Sequence, residues 1–533
     1  MYSRISRSSK NKTLVRSLRV EQLERRELFA VGLDPAFNYG WGKGAVDLGN
    51  SSDVAADMVV QPDGKIIVVG STTAGGSYHN FALARFNADG TLDNTFGGVG
   101  LGAGRVATDF DFRNDIADNV LLQDDGKIVV VGTSSQAEQN IAIARYNADG
   151  SLDNTFGVLG RVLLDTPNQF DDASISASFI VQDKLVVIGR SFATEAHQGM
   201  MWRFNLSDGS PDESFGNSGT LALDVPISIA GATRDGNNYI LAGWSTAEDD
   251  SAGKVSLARI DANGNLDASF GNNGVVIIGG SWSGGYAQSV LVQPDGKILA
   301  AGRARSAGQS KVFILRLLPD GTPDPTFNVD GIYEASGDNR ASFEDIALSI
   351  NGSIVAVGRE GSSMVPNTLD FMAVRLKSDG TPDPTFGPGG KVRIDFAGDR
   401  DEAKSVFSYA NGNLLISGWV AGVTETGYDF GLTRLKSNVQ VIPPPGPGGF
   451  LGGGVPHASA IRELARTLGS LVFPQPLARL GITLLPVFPP LPEQPAATAH
   501  ATVPSRGVHE NNIDQLLADG YDDWLEEGMM VNW

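Results

Sequence analysis

Seven arginines recur along this sequence: Arg85, Arg145, Arg203, Arg259, Arg316, Arg375 and Arg434. Six of them precede, by eight or nine residues, the aspartate of a Leu/Pro-Asp-x-x-Phe run, at Asp93, Asp153, Asp212, Asp267, Asp324 and Asp383. A seventh such aspartate, Asp34, stands near the start with no blade before it. Guanidinium and carboxylate groups at a fixed spacing can grip a charged ligand or each other. A residue present in every copy of a repeat is best explained by what every copy needs. These arginines are therefore expected to form charge-assisted bonds with a nearby anchor aspartate or turn carbonyl, and to build the fold.

Other chemistry is thin. Asn87-Ala-Asp-Gly-Thr-Leu-Asp93 and its copies resemble half of a calcium loop. They lack the third closely spaced acid and the distal bidentate glutamate of an EF-hand, and turn chemistry alone accounts for Asn, Asp and Gly there. No cofactor is therefore expected. His79 and His197 each sit six residues before their arginine but in non-adjacent copies, so they read as exposed loop histidines rather than one metal site. No Ser-His-Asp set, phosphate-binding Gly-Lys-Ser/Thr loop or His-Glu-x-x-His motif occurs. Carboxylates are abundant, so spacing alone leaves a glycosidase-type pair open.

Residues that differ between copies are the better place to look for function. Each copy contains a strand ending in glycine, and the next residue is Ser71, Thr133, Arg190, Trp244, Arg303, Arg359 or Trp419. If these open the following loops, all seven lie on one face. The set Arg190, Trp244, Arg303, Arg359 and Trp419 then forms a cationic and aromatic rim suited to sugars, peptides and carboxylates.

The elements that position these residues follow from the repeat. The anchor phenylalanines, Phe37, Phe96, Phe156, Phe215, Phe270, Phe327 and Phe386, are separated by 59, 60, 59, 55, 57 and 59 residues. Within one unit, Gln61-Pro-Asp-Gly64 marks a tight turn, because proline presets φ and glycine accepts the left-handed conformation. The β-branched run Lys65–Gly70 follows it, then Phe81–Phe86, then the turn Asn87–Gly90. A further strand follows each anchor, as at Gly104–Phe110, and another precedes each hairpin turn, as at Ala117–Gln123. Four antiparallel strands per unit make a propeller blade. The anchor at Leu33–Phe37 has no blade before it and Phe430–Leu435 has no anchor after it. Joining the two, with a strand near Gly44–Leu48, closes a ring of seven and removes an open sheet edge. The fold class is thus all-β: a seven-bladed β-propeller of four-stranded antiparallel blades, closed by the N-terminal strand.

The 533 residues are 41% hydrophobic, enough for a large core, and carry 41 basic against 61 acidic residues, a net −20. That charge repels phosphate backbones, so nucleic acid is not expected as a partner. There is no cysteine, which excludes disulfides and thiolate chemistry but not export. No run approaches the ~18–20 apolar residues needed to span a bilayer.

The pattern Pro-Asp-Gly-Lys-Ile-x-Val-x-Gly, then Ala-Leu-Ala-Arg-Tyr/Phe-Asn-Ala-Asp-Gly-Ser/Thr-Leu-Asp-x-Thr-Phe-Gly, resembles the delta-60 repeat family of bacterial propeller proteins. The resemblance implies a propeller and frequent occurrence in large exported proteins, with no catalytic residues to carry over. Leu18-Arg-Val-Glu-Gln-Leu-Glu-Arg-Arg-Glu-Leu-Phe-Ala30, after a stretch with Arg4, Arg7, Lys10, Lys12 and Arg16, looks like the N-terminal segment of exported planctomycete surface proteins. An ordinary secretory signal needs an apolar run of roughly 7–15 residues, and none is present.

The chain therefore divides into a basic, export-like segment (1–32) and a propeller (33–437) with repeats near 33–96, 97–156, 157–215, 216–270, 271–327, 328–386 and 387–437. Next come a Pro/Gly linker (438–457), an amphipathic helix at 458–472 through Ile461, Leu464, Ala465 and Leu468, and a Pro-rich linker (473–508). The acidic tail 509–533 has helical spacing, with Tyr521 and Trp524 as anchors for a docked partner. The expectation is an exported or cell-surface module, binding a protein or glycan on one face rather than acting as an enzyme. The competing class is a polysaccharide lyase or hydrolase with carboxylates at the channel mouth.

Overall fold

The computed structural model describes residues 32–436, except 50, 75, 77, 99, 136–138, 165–172, 192–197, 246–252, 279–281, 339, 350, 362–368, 397–399 and 422–426. The expectations for the N-terminal segment, both linkers, the 458–472 helix, the acidic tail and His197 lie outside these residues. The described residues form seven four-stranded antiparallel sheets, each with its strands in sequence order except the last. Among them no helix is long and apolar enough to cross a membrane.

Blade 1 shows the pattern. Its inner strand is Asp53–Val60, its second Ile66–Thr72, its third Asn80–Phe86 and its outer strand Arg105–Thr108. The inner strands of blades 2 to 7 are Asn114–Leu122, Ala173–Val181, Ile227–Asp235, Trp282–Val292, Ser342–Leu348 and Asp401–Ser408. Each touches the inner strand of the next blade, and the seventh returns to the first, so the ring is closed. The closing element is Lys43–Val46, which pairs with Tyr428–Leu435 as the outer strand of blade 7. Leu33 also bridges Leu435. The expected repair of the two unmatched ends is what the chain does.

Burial explains which strands carry which residues. The second and third strands are packed between neighbouring blades on both faces, so Ile66–Thr72 is buried throughout and Asn80–Phe86 almost so. This is why those strands read as continuous apolar runs rather than alternating ones. Each of the seven hydrophobic clusters joins residues from two successive blades. One unites Ile67, Phe81 and Phe96 of blade 1 with Val130, Ala144 and Tyr146 of blade 2. The anchor phenylalanines sit at these joints: Phe96 lies against Gly150 of the next blade, where an added Cβ would come within 2.8 Å of the ring. The turn glycine is thus required twice, for its φ of 88° and for the ring beneath it.

The glycine in each second strand has a different cause. It was expected to end the strand, but Ile66–Thr72 continues two residues past Gly70. Opposite it the inner strand bulges in every blade, between Ala55 and Asp57 in blade 1 and at the equivalent register in the other six. The bulge pushes an inner-strand carbonyl into the space a side chain would need. A Cβ on Gly70, Gly132, Gly189, Gly243, Gly302, Gly358 or Gly418 would lie 1.8 to 2.1 Å from that oxygen. Close backbone approach, not chain reversal, selects glycine there.

Candidate functional site

In a four-stranded meander the turns alternate sides. The hairpin turns between first and second strands, and the anchors between third and outer strands, share one face, called here the anchor face. The other connections share the opposite, loop face.

On the anchor face the arginine–aspartate pairs recur in full. Arginine Nε donates to aspartate Oδ2 in Arg85–Asp93, Arg145–Asp153, Arg203–Asp212, Arg259–Asp267, Arg316–Asp324, Arg375–Asp383 and Arg434–Asp34, at 2.7 to 2.9 Å. Each guanidinium also lies over its anchor phenylalanine, 4.3 to 4.9 Å from the ring centre. Several reach on to a turn carbonyl of the next blade: Arg85 to Ala148, Arg145 to Ser207, Arg259 to Pro319, Arg316 to Ser378 and Arg434 to Ala88. One side chain therefore ties anchor, ring and neighbouring blade together. A second cation was not anticipated: Lys65, Lys127, Lys184 and Lys297 approach Asp93, Asp153, Asp212 and Asp324 at 2.9 to 3.5 Å. Its signal was the lysine after the hairpin glycine, or after Asp183 where that glycine is missing. Burial alone would raise Asp93, but hydrogen bonds from Lys65 and Thr95 and the charge of Arg85 hold it well below the usual carboxylate range.

The Asn-Ala-Asp-Gly turns satisfy themselves. Asp89 Oδ1 accepts from Thr91 N and Oγ1, and Asn87 Nδ2 donates to Thr91 Oγ1.

The loop face holds the variable residues, and the rim differs from its expected form. Ser71, Thr133, Arg190, Trp244, Arg303, Arg359 and Trp419 do occupy equivalent positions. They lie inside the second strand rather than at a loop start, because the strand runs on past its glycine. Ser71, Thr133, Arg190, Arg359 and Trp419 are consequently buried, while Trp244 and Arg303 are half-buried. Neighbouring blades bring some of them together. Arg190 lies over the Trp244 ring at 4.9 Å, Trp244 meets Tyr286 edge-on at 6.0 Å, and Arg303 lies over Tyr286 at 5.3 Å. This cation–aromatic relay crosses blades 3, 4 and 5, with Arg305 exposed beside it. Arg359 pairs instead with Glu402 of blade 7 at 2.6 Å, and Trp419 packs on Tyr428. His79 is another correction: it is buried, its main chain clamped by Asn114 and Asp115 of blade 2.

The inner strands add groups that sequence reasoning missed. The bulge places one extra residue per blade in the inner ring: Ala56, Asp118, Ser176, Ala230, Gln288, Glu344 and Lys404. Lys404 pairs with Glu344 at 3.5 Å and with Glu402. Burial opposes ionisation of Glu402, but Arg359 and Lys404 hold it down to about 2. Asp118 is half-buried, and burial pushes it up to about 8. Asp57 and Asp345 follow the bulge and work as staples. Asp57 accepts from Val120 N of blade 2 and Ser405 Oγ of blade 7, and Asp345 from Val406 N of blade 7 and Ser289 Oγ of blade 5. Burial raises both, Asp345 to about 7.

Among the described residues, two acidic groups could approach a cation: Asp47, Asp53 and Asp429, and Asp370, Asp395 and Asp401, at equivalent places on either side of blade 7. Their buried members already have structural work. Asp53 accepts from Leu48 N and Ser51 Oγ, Asp401 from Phe396 N, and Asp370 pairs with Arg393.

A family model described as "Domain of unknown function (DUF5122) beta-propeller" matches residues 61–96, 123–156, 237–270, 293–327 and 351–386. These five segments span the second strand, third strand and anchor of blades 1, 2, 4, 5 and 6, and they place the chain among β-propeller repeat proteins. No curated protein matches it. Among solved structures it is similar to a PL25 polysaccharide lyase, an ulvan lyase bound to -[GlcA(1-4)Rha3S]-, at 13% identity and TM-score 0.45, covering 74% of this chain and 97% of that one. Polysaccharide lyase Uly1 is 12% identical with TM-score 0.42, over 75% and 92%. Drosophila Semaphorin 1a, extracellular domains 1-2, is 11% identical with TM-score 0.38, over 73% and 87%. At such identities the likeness concerns the fold alone.

Proposed function

We propose that this β-propeller repeat protein is an exported or cell-surface binding module that takes a protein or glycan partner on its loop face. The observation that supports this is the relay of Arg190, Trp244, Tyr286 and Arg303 across three blades at positions the repeat leaves free. Half-buried Trp244 and Arg303 offer a stacking surface and a guanidinium fork, while buried Arg190 and Tyr286 hold them in place. Arg359 and Trp419 act through the framework instead, by way of Glu402 and Tyr428.

The enzymatic alternative has less support. Of the inner-strand carboxylates that burial raises, Asp57 and Asp345 are consumed by bonds between blades. Export and a delta-60 membership rest on the sequence resemblances, and a reporter fused to residues 1–32 tests the former: cytoplasmic retention refutes it. The binding reading is tested on glycan and peptide arrays with the full chain. Trp244→Ala and Arg303→Ala are expected to weaken every captured ligand by at least roughly tenfold, as for central aromatic and arginine contacts. Unchanged capture by both variants overturns it.

A further inference from the structure

The anchor face carries a second feature, independent of the loop-face reading. The turns after the anchor phenylalanines of blades 2, 3 and 4 are copies of one another. In blades 2, 3 and 4 the same hydrogen bond closes them: Val158 N to Arg161 O, Asn217 N to Thr220 O and Asn272 N to Val275 O. Each then places a residue in the left-handed region, at Leu159 (φ 54), Ser218 (φ 49) and Asn273 (φ 51). Polar residues suit that position in blades 3 and 4, since short side chains tolerate the conformation and the tip faces water. Blade 2 instead presents Val158 and Leu159, 74% and 61% exposed. Blade 7 does the same with Tyr39 (φ 55) and Trp41, 85% and 73% exposed. The turn does not require large apolar groups; solvent disfavours all four, and the left-handed backbone disfavours Leu159 and Tyr39 as well.

These tips lie on one arc. Asn38 N of the blade 7 tip donates to Asp89 O of blade 1, Gly97 N of the blade 1 tip to Asp149 O, and Gly157 N of the blade 2 tip to Asp208 O. Tips and aspartate turns therefore alternate around the rim. The described part of the blade 1 tip between them is glycine-rich: Gly98 and Gly100 are exposed with open space around them, and Leu101 is half-buried. Asp89, Asp149 and Asp208 are exposed and kept ionised by hydrogen bonds from Thr91, Ser151 and Ser210. The cations nearest the rim are already engaged: Arg85, Arg145 and Arg434 with their anchor aspartates, and Arg105 with Leu101 O. Lys65 and Lys127 are likewise engaged, with Asp93 and Asp153, so among the described residues the arc presents exposed carboxylates and exposed apolar tips together.

We propose that the anchor face of blades 7, 1 and 2 docks a basic amphipathic polypeptide segment. The segment's apolar side covers Tyr39, Trp41, Val158 and Leu159, and its basic side chains reach Asp89, Asp149 and Asp208. Charge complementarity selects this partner over a second copy of the chain, whose net charge of −20 opposes self-association.

The test uses the full chain and a dye-labelled helical peptide of leucine and lysine with one apolar and one basic face, followed by anisotropy. A scrambled peptide of the same composition is the control. Binding is expected to favour the amphipathic peptide, weaken as salt rises, and fall at least roughly tenfold in the variant Tyr39→Ser/Trp41→Ser/Val158→Asn/Leu159→Asn. Asp89→Asn/Asp149→Asn/Asp208→Asn is expected to reduce the salt dependence, and Val329→Asn, at the isolated exposed tip of blade 5, to change nothing. An unchanged thermal midpoint shows that the tip variants are folded. Equal binding by wild type and tip variant, or by the amphipathic and scrambled peptides, overturns the proposal. A self-association seen by sedimentation and abolished by the tip variant, without effect on peptide binding, assigns the face to a second copy and overturns it too.

Discussion

Replacing Arg145 by methionine probes the repeated clamp where it is most enclosed. The side chain is almost fully buried, pairs with Asp153 at 2.8 Å, donates to Ser207 O of blade 3 at 3.0 Å and covers Phe156 at 4.4 Å. Removing one partner of a buried pair costs roughly 3–5 kcal/mol, because the other charge is left in the interior. Lys127, 3.2 Å from Asp153, remains as partial compensation, so the lower end, about 3 kcal/mol, is expected. With an unfolding entropy of roughly 2 cal/mol/K per residue over residues 32–436, that is a fall of about 4 °C in Tm. Arg259→Met is the internal comparison, since its partner Asp267 is a quarter exposed and solvent screens the pair. That variant is expected to lose only about 1 kcal/mol. In Arg145→Met/Asp153→Asn the orphaned charge is gone while the Asp153 oxygen that accepts from Thr155 is kept, so much of the loss returns. Circular dichroism melts and denaturant titrations of the full chain read all three. A double variant no more stable than Arg145→Met, or a larger loss at Arg259 than at Arg145, refutes the reasoning.

Gly132→Ala puts a Cβ 2.0 Å from the Ile116 carbonyl oxygen, which only backbone movement can relieve. A loss of about 3 kcal/mol or more is expected in the same melts, at the severe end of overpacking. Stability should also peak in mildly acid solution. Asp345, Asp118 and Asp401 are raised by burial to about 7, 8 and 8, and Asp53 and Asp115 to about 6. Their contribution is complete below the ordinary aspartate value and is lost as pH rises toward those native values. The anchor aspartates Asp93, Asp153 and Asp324 are depressed, with Asp212 at about 2, so their contribution is present above the ordinary value and lost as pH falls below it. Tm measured against pH should therefore be highest at roughly pH 4–6; a maximum above pH 8 contradicts the assignment. Deleting residues 1–46 removes the closing strand and exposes the edge of Tyr428–Leu435, and sedimentation is expected to show aggregates.

What the sequence determined by itself is what local turn chemistry repeats in each blade. Turn glycines and prolines act within a few residues, so the hairpins, the blade count and the arginine–aspartate clamp were legible from spacing. Closure was legible as well, because an anchor without a blade and a strand without an anchor are complementary remainders. What only the tertiary structure decided depends on residues far apart in the chain. Gly70 looked like a strand end, yet it answers to the Val54 carbonyl across an inner-strand bulge. Arg190 and Arg359 looked alike and alike exposed. One is buried against Trp244, the other paired with Glu402, because each is finished by a different neighbouring blade. Asp57, Asp345 and the bulge residues occur in no shared pattern, since their partners are single-copy groups of adjacent blades. Local turn chemistry repeats and leaves a periodic trace. Contacts between unlike blades do not, and only the closed ring brings them together.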